Sequence, residues 1–170
     1  MVTALTILFG LFSIVLVSSA APWLNTDSGL PRMVIILVVF RAANREFTSA
    51  LLVALALGWV AGSMVGFGKG IELLSLLAVA SVTYSFAGRL PLERSIVGGL
   101  WSLLAVGLHD VVFVLLSLFT ANGLPAWRAL LSETPESALS TGLLAMLILA
   151  ALRRVEPLLR ERQERSTVLR

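Results

Sequence analysis

From Ile96 to Thr120 the chain carries a single formal charge, Asp110, with its one histidine, His109, directly before it. About 20 predominantly apolar residues make a helix that crosses a bilayer, whose interior admits only helices or closed barrels because nothing else satisfies the backbone there. Four further runs qualify, at residues 4–21, 47–66, 71–88 and 138–152. Residues 33–40 are equally apolar but short, with Pro31 and Arg32 before them and Arg41 and Arg45 after. Composition agrees, with 58% hydrophobic and 14% charged residues against roughly 45–50% and 25% in a soluble domain. The sequence predicts an all-α integral membrane protein.

Charge decides whether the short run counts as a span. If it crosses, Arg41, Arg45, Arg89, Arg94, Arg153, Arg154, Arg160, Arg162, Arg165 and Arg170 share one side, and Arg32, Lys69 and Arg128 the other. That division is ten to three of the 13 basic residues. A re-entrant segment would leave Arg41 and Arg45 outside and invert every later loop. The positive-inside rule therefore predicts a bundle of six transmembrane helices, the second one short, with both termini in the cytoplasm. Trp23 and Trp127 fall in the outer loops, at headgroup level where indole rings anchor. Ser18-Ser19-Ala20-Ala21 resembles a signal cleavage site, but no basic stretch precedes the first apolar run, which predicts a retained helix. Residues 1–156 read as one transmembrane domain. Residues 157–170 read as a basic cytoplasmic tail opened by Pro157, either an anchor on anionic lipid or a docking site for a cytoplasmic protein.

Catalytic classes fall away one at a time. Without cysteine, thiolate nucleophiles, disulfides and cysteine-ligated metals are excluded. One histidine and one aspartate fall short of a metal-ligand set. Asp110 is the one acid deep in any span, so an aspartyl dyad is not available. Ser102, two turns before His109 on the same helix, lacks glycine neighbours, and no serine triad is evident. No chain of acids leads from His109 to either face. The arginines flank apolar spans rather than forming a nucleic-acid-binding face. Gly66-Phe67-Gly68-Lys69-Gly70 lacks the phosphate-loop pattern and reads as a tight turn, with Lys69 and Glu72 at the interface. No catalytic, cofactor or metal residue is expected. His109 and Asp110 remain as intramembrane polar residues, about 100° apart on the helix and so not required to touch. They are open to three readings: a hydrogen-bonded pair that fixes helix packing, a ligand or proton site, or a contact to a partner helix.

Ala50, Ala54, Gly58, Gly62, Gly66 and Gly70 recur every four residues. Such spacing keeps them on one stripe and lets another backbone approach, which supplies much of helix association in lipid. The stripe predicts packing within the chain or against a partner's helix.

The stretch from Gly58 through Gly66, Gly70 and Leu74 to Tyr84 and Gly88 resembles the central region of the rod shape-determining protein MreD family. Pro31 before the short span, Asp110 beside the β-branched Val111 and Val112 in the fifth span, and the arginine-rich end fit the same pattern. Gly62 stands where the family carries an aspartate, so no role tied to that carboxylate carries over. The resemblance implies a non-catalytic membrane scaffold of the bacterial cell-elongation complex in the cytoplasmic (inner) membrane. It implies a fold similar to the substrate-binding subunits of energy-coupling-factor transporters and a bitopic MreC partner. Through MreC it implies links to MreB, RodA and a penicillin-binding protein, hence to lateral peptidoglycan synthesis and cell shape. The alternative is a vitamin-binding subunit of such a transporter; an intramembrane enzyme has least support.

Overall fold

A computed structural model of the chain describes residues 2–24, 32–44, 46–65, 69–92, 94–119, 134–151 and 154. Gly66, Trp127 and the 157–170 tail lie outside the described residues. Six helices and no strand are present among the described residues: α1 Val2–Leu24, α2 Met33–Ala43, α3 Phe47–Val65, α4 Lys69–Ala87, α5 Ser95–Ser117 and α6 Thr134–Ala151. Each follows an apolar run rich in Leu, Ala and Val. α4 closes at Gly88 and Pro91, where Arg89 and Leu90 both return their N–H to Phe86 O.

The helices alternate in direction. Thr3 of α1 and Ser49 of α3 share a hydrogen bond at 2.9 Å, so these two helices start together. Phe47, opening α3, packs its ring 4.8 Å from Tyr84 near the end of α4. Trp101 early in α5 donates to Thr83 late in α4. α6 returns along α5, and a Cβ added at Gly99 of α5 would lie 2.9 Å from Gly142 O of α6. One end of the bundle therefore gathers the starts of α1, α3 and α5, and the other the starts of α2, α4 and α6.

α2 is the centre. Every residue from Ile35 to Ala43 is buried, as a helix apolar all round its circumference requires. Leu37, Val38 and Val39 pack with Val53 and Leu57 of α3, Leu76 and Val79 of α4 and Val106 of α5. Ile36 and Phe40 pack instead on Ala145 and Leu149 of α6. The bundle's outer surface is apolar: Leu139, Leu143 and Leu147, four residues apart on α6, are 59%, 66% and 71% exposed. Lipid matches such a surface and water does not. α4, α5 and α6 are each long and apolar enough to cross a membrane, while Thr3–Leu16, Met33–Ala43 and Phe47–Ser63 are shorter apolar stretches among the described residues.

The small-residue stripe is divided by the structure. Ala50 and Ala54 are fully buried, and Gly58 and Gly62 are buried beside them on α3. A Cβ at Gly58 would stand 2.9 Å from Leu73 Cα of α4, so the glycine sets how closely the two backbones cross. Gly70 is not on that stripe. α3 ends at Val65, Gly70 belongs to the first turn of α4, and it is exposed with nothing within 4 Å of an added Cβ.

Candidate functional site: a buried charged cluster joining four helices

The inward face of α5 carries Gly98, Ser102, Ala105, His109, Asp110, Phe113 and Ser117 at helical spacing. His109 and Asp110 straddle the middle of this face, 4% and 5% exposed. Their divergence sends the imidazole toward α4 and the carboxylate toward α2 and α6. Even so they touch, His109 Nδ1 lying 3.1 Å from Asp110 Oδ1. A 100° separation about the axis leaves room for that contact because both side chains turn into the same confined space.

Asp110 is held from two sides. Oδ1 pairs with Nη1 of Arg32, the residue that caps the start of α2, and Oδ2 accepts from Thr134 Oγ1 of α6 at 2.6 Å. Arg32 is fixed in turn by its main-chain N–H, which donates to Thr141 Oγ1 of α6 at 2.9 Å. His109 faces α4 through Nε2, 3.2 Å from Glu72 Oε1 and 3.2 Å from Ser75 Oγ. Arg32 Nη1 reaches His109 Nδ1 at 3.1 Å, and Phe113, one turn on, stacks on the ring. Arg32, Glu72, His109 and Asp110 thus form one network among α2, α4 and α5, tied by hydroxyls to α6. A buried charge is tolerated only when paired and hydrogen-bonded, and breaking such a pair costs about 3–5 kcal/mol.

Two expectations are corrected here. Glu72, expected to sit with Lys69 in the headgroup region, turns its carboxylate inward onto His109, its side chain 17% exposed. A second acid therefore reaches the intramembrane histidine. Serine, histidine and aspartate also meet in triad order, Ser75 Oγ to His109 Nε2 and His109 Nδ1 to Asp110 Oδ1. The serine is on α4, and a search along the histidine's own helix does not reach it. The serine hydroxyl is already engaged elsewhere. Ser75 is wholly buried, its hydroxyl donates to the main-chain oxygens of Ile71 at 2.8 Å and Glu72 at 3.0 Å, and the Glu72 carboxylate competes for Nε2. General-base activation needs the hydroxyl directed at the imidazole and open to substrate.

A smaller network closes the other end of α2. Arg41, wholly buried, donates from Nε to Thr6 Oγ1 of α1 and from Nη1 to Glu46 Oε2 beside α3, each at 3.1 Å. With a rise of 1.5 Å per residue, the two arginines stand about 14 Å apart along the helix. Both ends of the central helix are therefore locked by ion pairs to its neighbours. No group of His, Asp and Glu among the described residues could hold a metal ion.

The residues that the sequence reading passed over were Arg32, Glu72, Ser75 and Thr134. A signal existed: a buried aspartate demands a cation, and Arg32 directly precedes an apolar helix, while Glu72 and Ser75 share one helical face at a spacing of three. Comparison with protein families, with curated proteins and with solved structures finds no match for this chain.

Proposed function

We propose that this chain is a non-catalytic membrane scaffold of the bacterial cell-elongation complex, of the MreD kind. It crosses the cytoplasmic membrane six times with both termini inside, in a fold like that of energy-coupling-factor substrate-binding subunits. Its direct partner is an MreC-like bitopic protein, through which it supports MreB, RodA and a penicillin-binding protein in lateral wall synthesis. One observation supports the reading: the buried charges join helices of this chain to each other, as a rigid platform requires, and the Ser75 hydroxyl donates to main-chain oxygen. The MreD-like residue pattern supports the family, and the excess of arginine at the end where α2, α4 and α6 finish supports the orientation. Leu74 and Tyr84, two residues of that pattern, are 50% and 39% exposed on α4 and available to a partner helix.

The test is co-expression with the MreC-like protein of the same organism, detergent purification and native mass spectrometry. A stable complex without a small ligand is expected. No complex, together with a tightly held small molecule, would replace the scaffold by the transporter subunit. The observation favouring that second reading is Arg32, whose partly exposed guanidinium heads the polar cluster.

A further inference from the structure

His109 supplies the one imidazole of the chain, and its two nitrogens face carboxylates carried by different helices. Nε2 is 3.2 Å from Glu72 Oε1 on α4, and Nδ1 is 3.1 Å from Asp110 Oδ1 on α5. A neutral imidazole has one N–H and one bare nitrogen, whereas an imidazolium has two N–H groups. The neutral ring can donate to only one of these carboxylates. With its proton on Nε2 it holds Glu72, and the bare Nδ1 accepts from Arg32 Nη1 at 3.1 Å. With its proton on Nδ1 it holds Asp110, and the bare Nε2 faces the Glu72 oxygen, lone pair against lone pair. Ser75 Oγ, 3.2 Å away, could relieve that clash only by giving up its main-chain acceptors. The ring with two N–H groups satisfies both carboxylates at once, Arg32 Nη1 then donating to Asp110 alone.

Charge balance points the same way. Among the described residues, the charged groups facing the ring are Arg32 from the start of α2, Glu72 from α4 and Asp110 from α5, while α6 contributes the hydroxyls of Thr134 and Thr141. One cation and two anions leave a net charge of about −1 around a buried ring, with only Arg32 and Glu72 partly open to the outside, and one bound proton brings it to zero. Uncompensated charge is what such surroundings tolerate least.

We infer that the Glu72–His109–Asp110 cluster is a proton-binding site whose occupancy sets how firmly α4 is tied to α5. With the proton bound, the ring bridges the two helices. With it released, Asp110 keeps Arg32 and Thr134 as donors. Glu72 exchanges a charge-assisted bond to an imidazolium for an ordinary one to a neutral Nε2–H, or for none when the proton sits on Nδ1, and the link slackens near the end of the bundle where α4 starts and α5 finishes. The inference stands independently of the scaffold reading, since it needs only the cluster.

The single histidine makes the experiment direct. The full chain, labelled with ¹⁵N-histidine and reconstituted in lipid nanodiscs, is titrated over about pH 5 to 9, the span around histidine's ordinary range. In parallel, spin labels on Gly70→Cys of α4 and Phe119→Cys after α5, both exposed positions in a chain without native cysteine, report the separation of the two helix ends. The ring is expected to pass between its imidazolium and neutral ¹⁵N patterns, and the spin–spin distance distribution to broaden or lengthen with the same midpoint. Glu72→Gln, close in shape, is expected to move that midpoint by about one pH unit or more. A ring that keeps one protonation state throughout, or one that titrates while the distance distribution stays fixed, overturns the inference.

Discussion

Gly58 and Gly70 share a residue type and a place in one four-residue register, yet the fold uses them differently. A side chain at Gly58 runs into the α4 main chain at Leu73 Cα, which cannot rotate aside, whereas one at Gly70 enters open space. Gly58→Leu should therefore destabilise the purified protein by about 1–3 kcal/mol or more, the range for overpacking a fitted contact. Gly70→Ala should be neutral or slightly stabilising, because alanine is the better helix former. Denaturant titration of both variants in one detergent measures the difference, and equal stability would remove the close α3–α4 crossing. Ser75 gives a second residue-scale prediction. Its buried hydroxyl, committed to Ile71 O, should not react with a fluorophosphonate probe. Specific labelling lost in Ser75→Ala would make the triad arrangement a working one.

At the scale of elements, α2 differs from its neighbours in having no outward face. Alanine substitution along Ile35 to Val39 should cost about 1–4 kcal/mol at each position, with no 3.6-residue rhythm. The same scan along α6 should alternate, because Leu139, Leu143 and Leu147 face outward while Ala145 and Leu149 are buried. A rhythmic α2 scan would place one of its faces in lipid. The helices themselves were legible in the sequence because each is a nearly unbroken apolar run. Their ends were less so: the chain is already helical at Thr134, ahead of 138, with Pro135 inside the helix. The centrality of α2 was hidden, because a short apolar run looks alike whether protein or lipid surrounds it. The charged cluster was half legible. Composition drew attention to His109 and Asp110, but Arg32, Glu72, Ser75 and Thr134 come from three other helices, and their convergence is set by packing that no local pattern encodes.

For the whole molecule, the alternating helix directions and the uneven arginines together fix an expected orientation. Gly70 and Gly88 mark opposite ends of α4, both exposed and open. In intact bacterial cells, an impermeant maleimide should label Gly70→Cys directly and Gly88→Cys only after the inner membrane is permeabilised. The reverse pattern would invert the proposed topology. The buried central helix also bears on how the molecule is made. Translation delivers α2 early, as an 11-residue segment with Arg32 just before it and Arg41 near its end, about 16 Å long against a hydrocarbon layer of about 30 Å. Such a segment is too short and too charged to be retained in lipid by its own apolarity. The partners that lock Arg32 at its N-terminal cap, Asp110 and Thr141, are synthesised 78 and 109 residues later. The Arg41 end and the apolar sides of the second helix find Thr6, Glu46, α3 and α4 earlier, so a chain truncated before α5 would leave the ribosome with one end of its future centre anchored and the Arg32 end without its carboxylate.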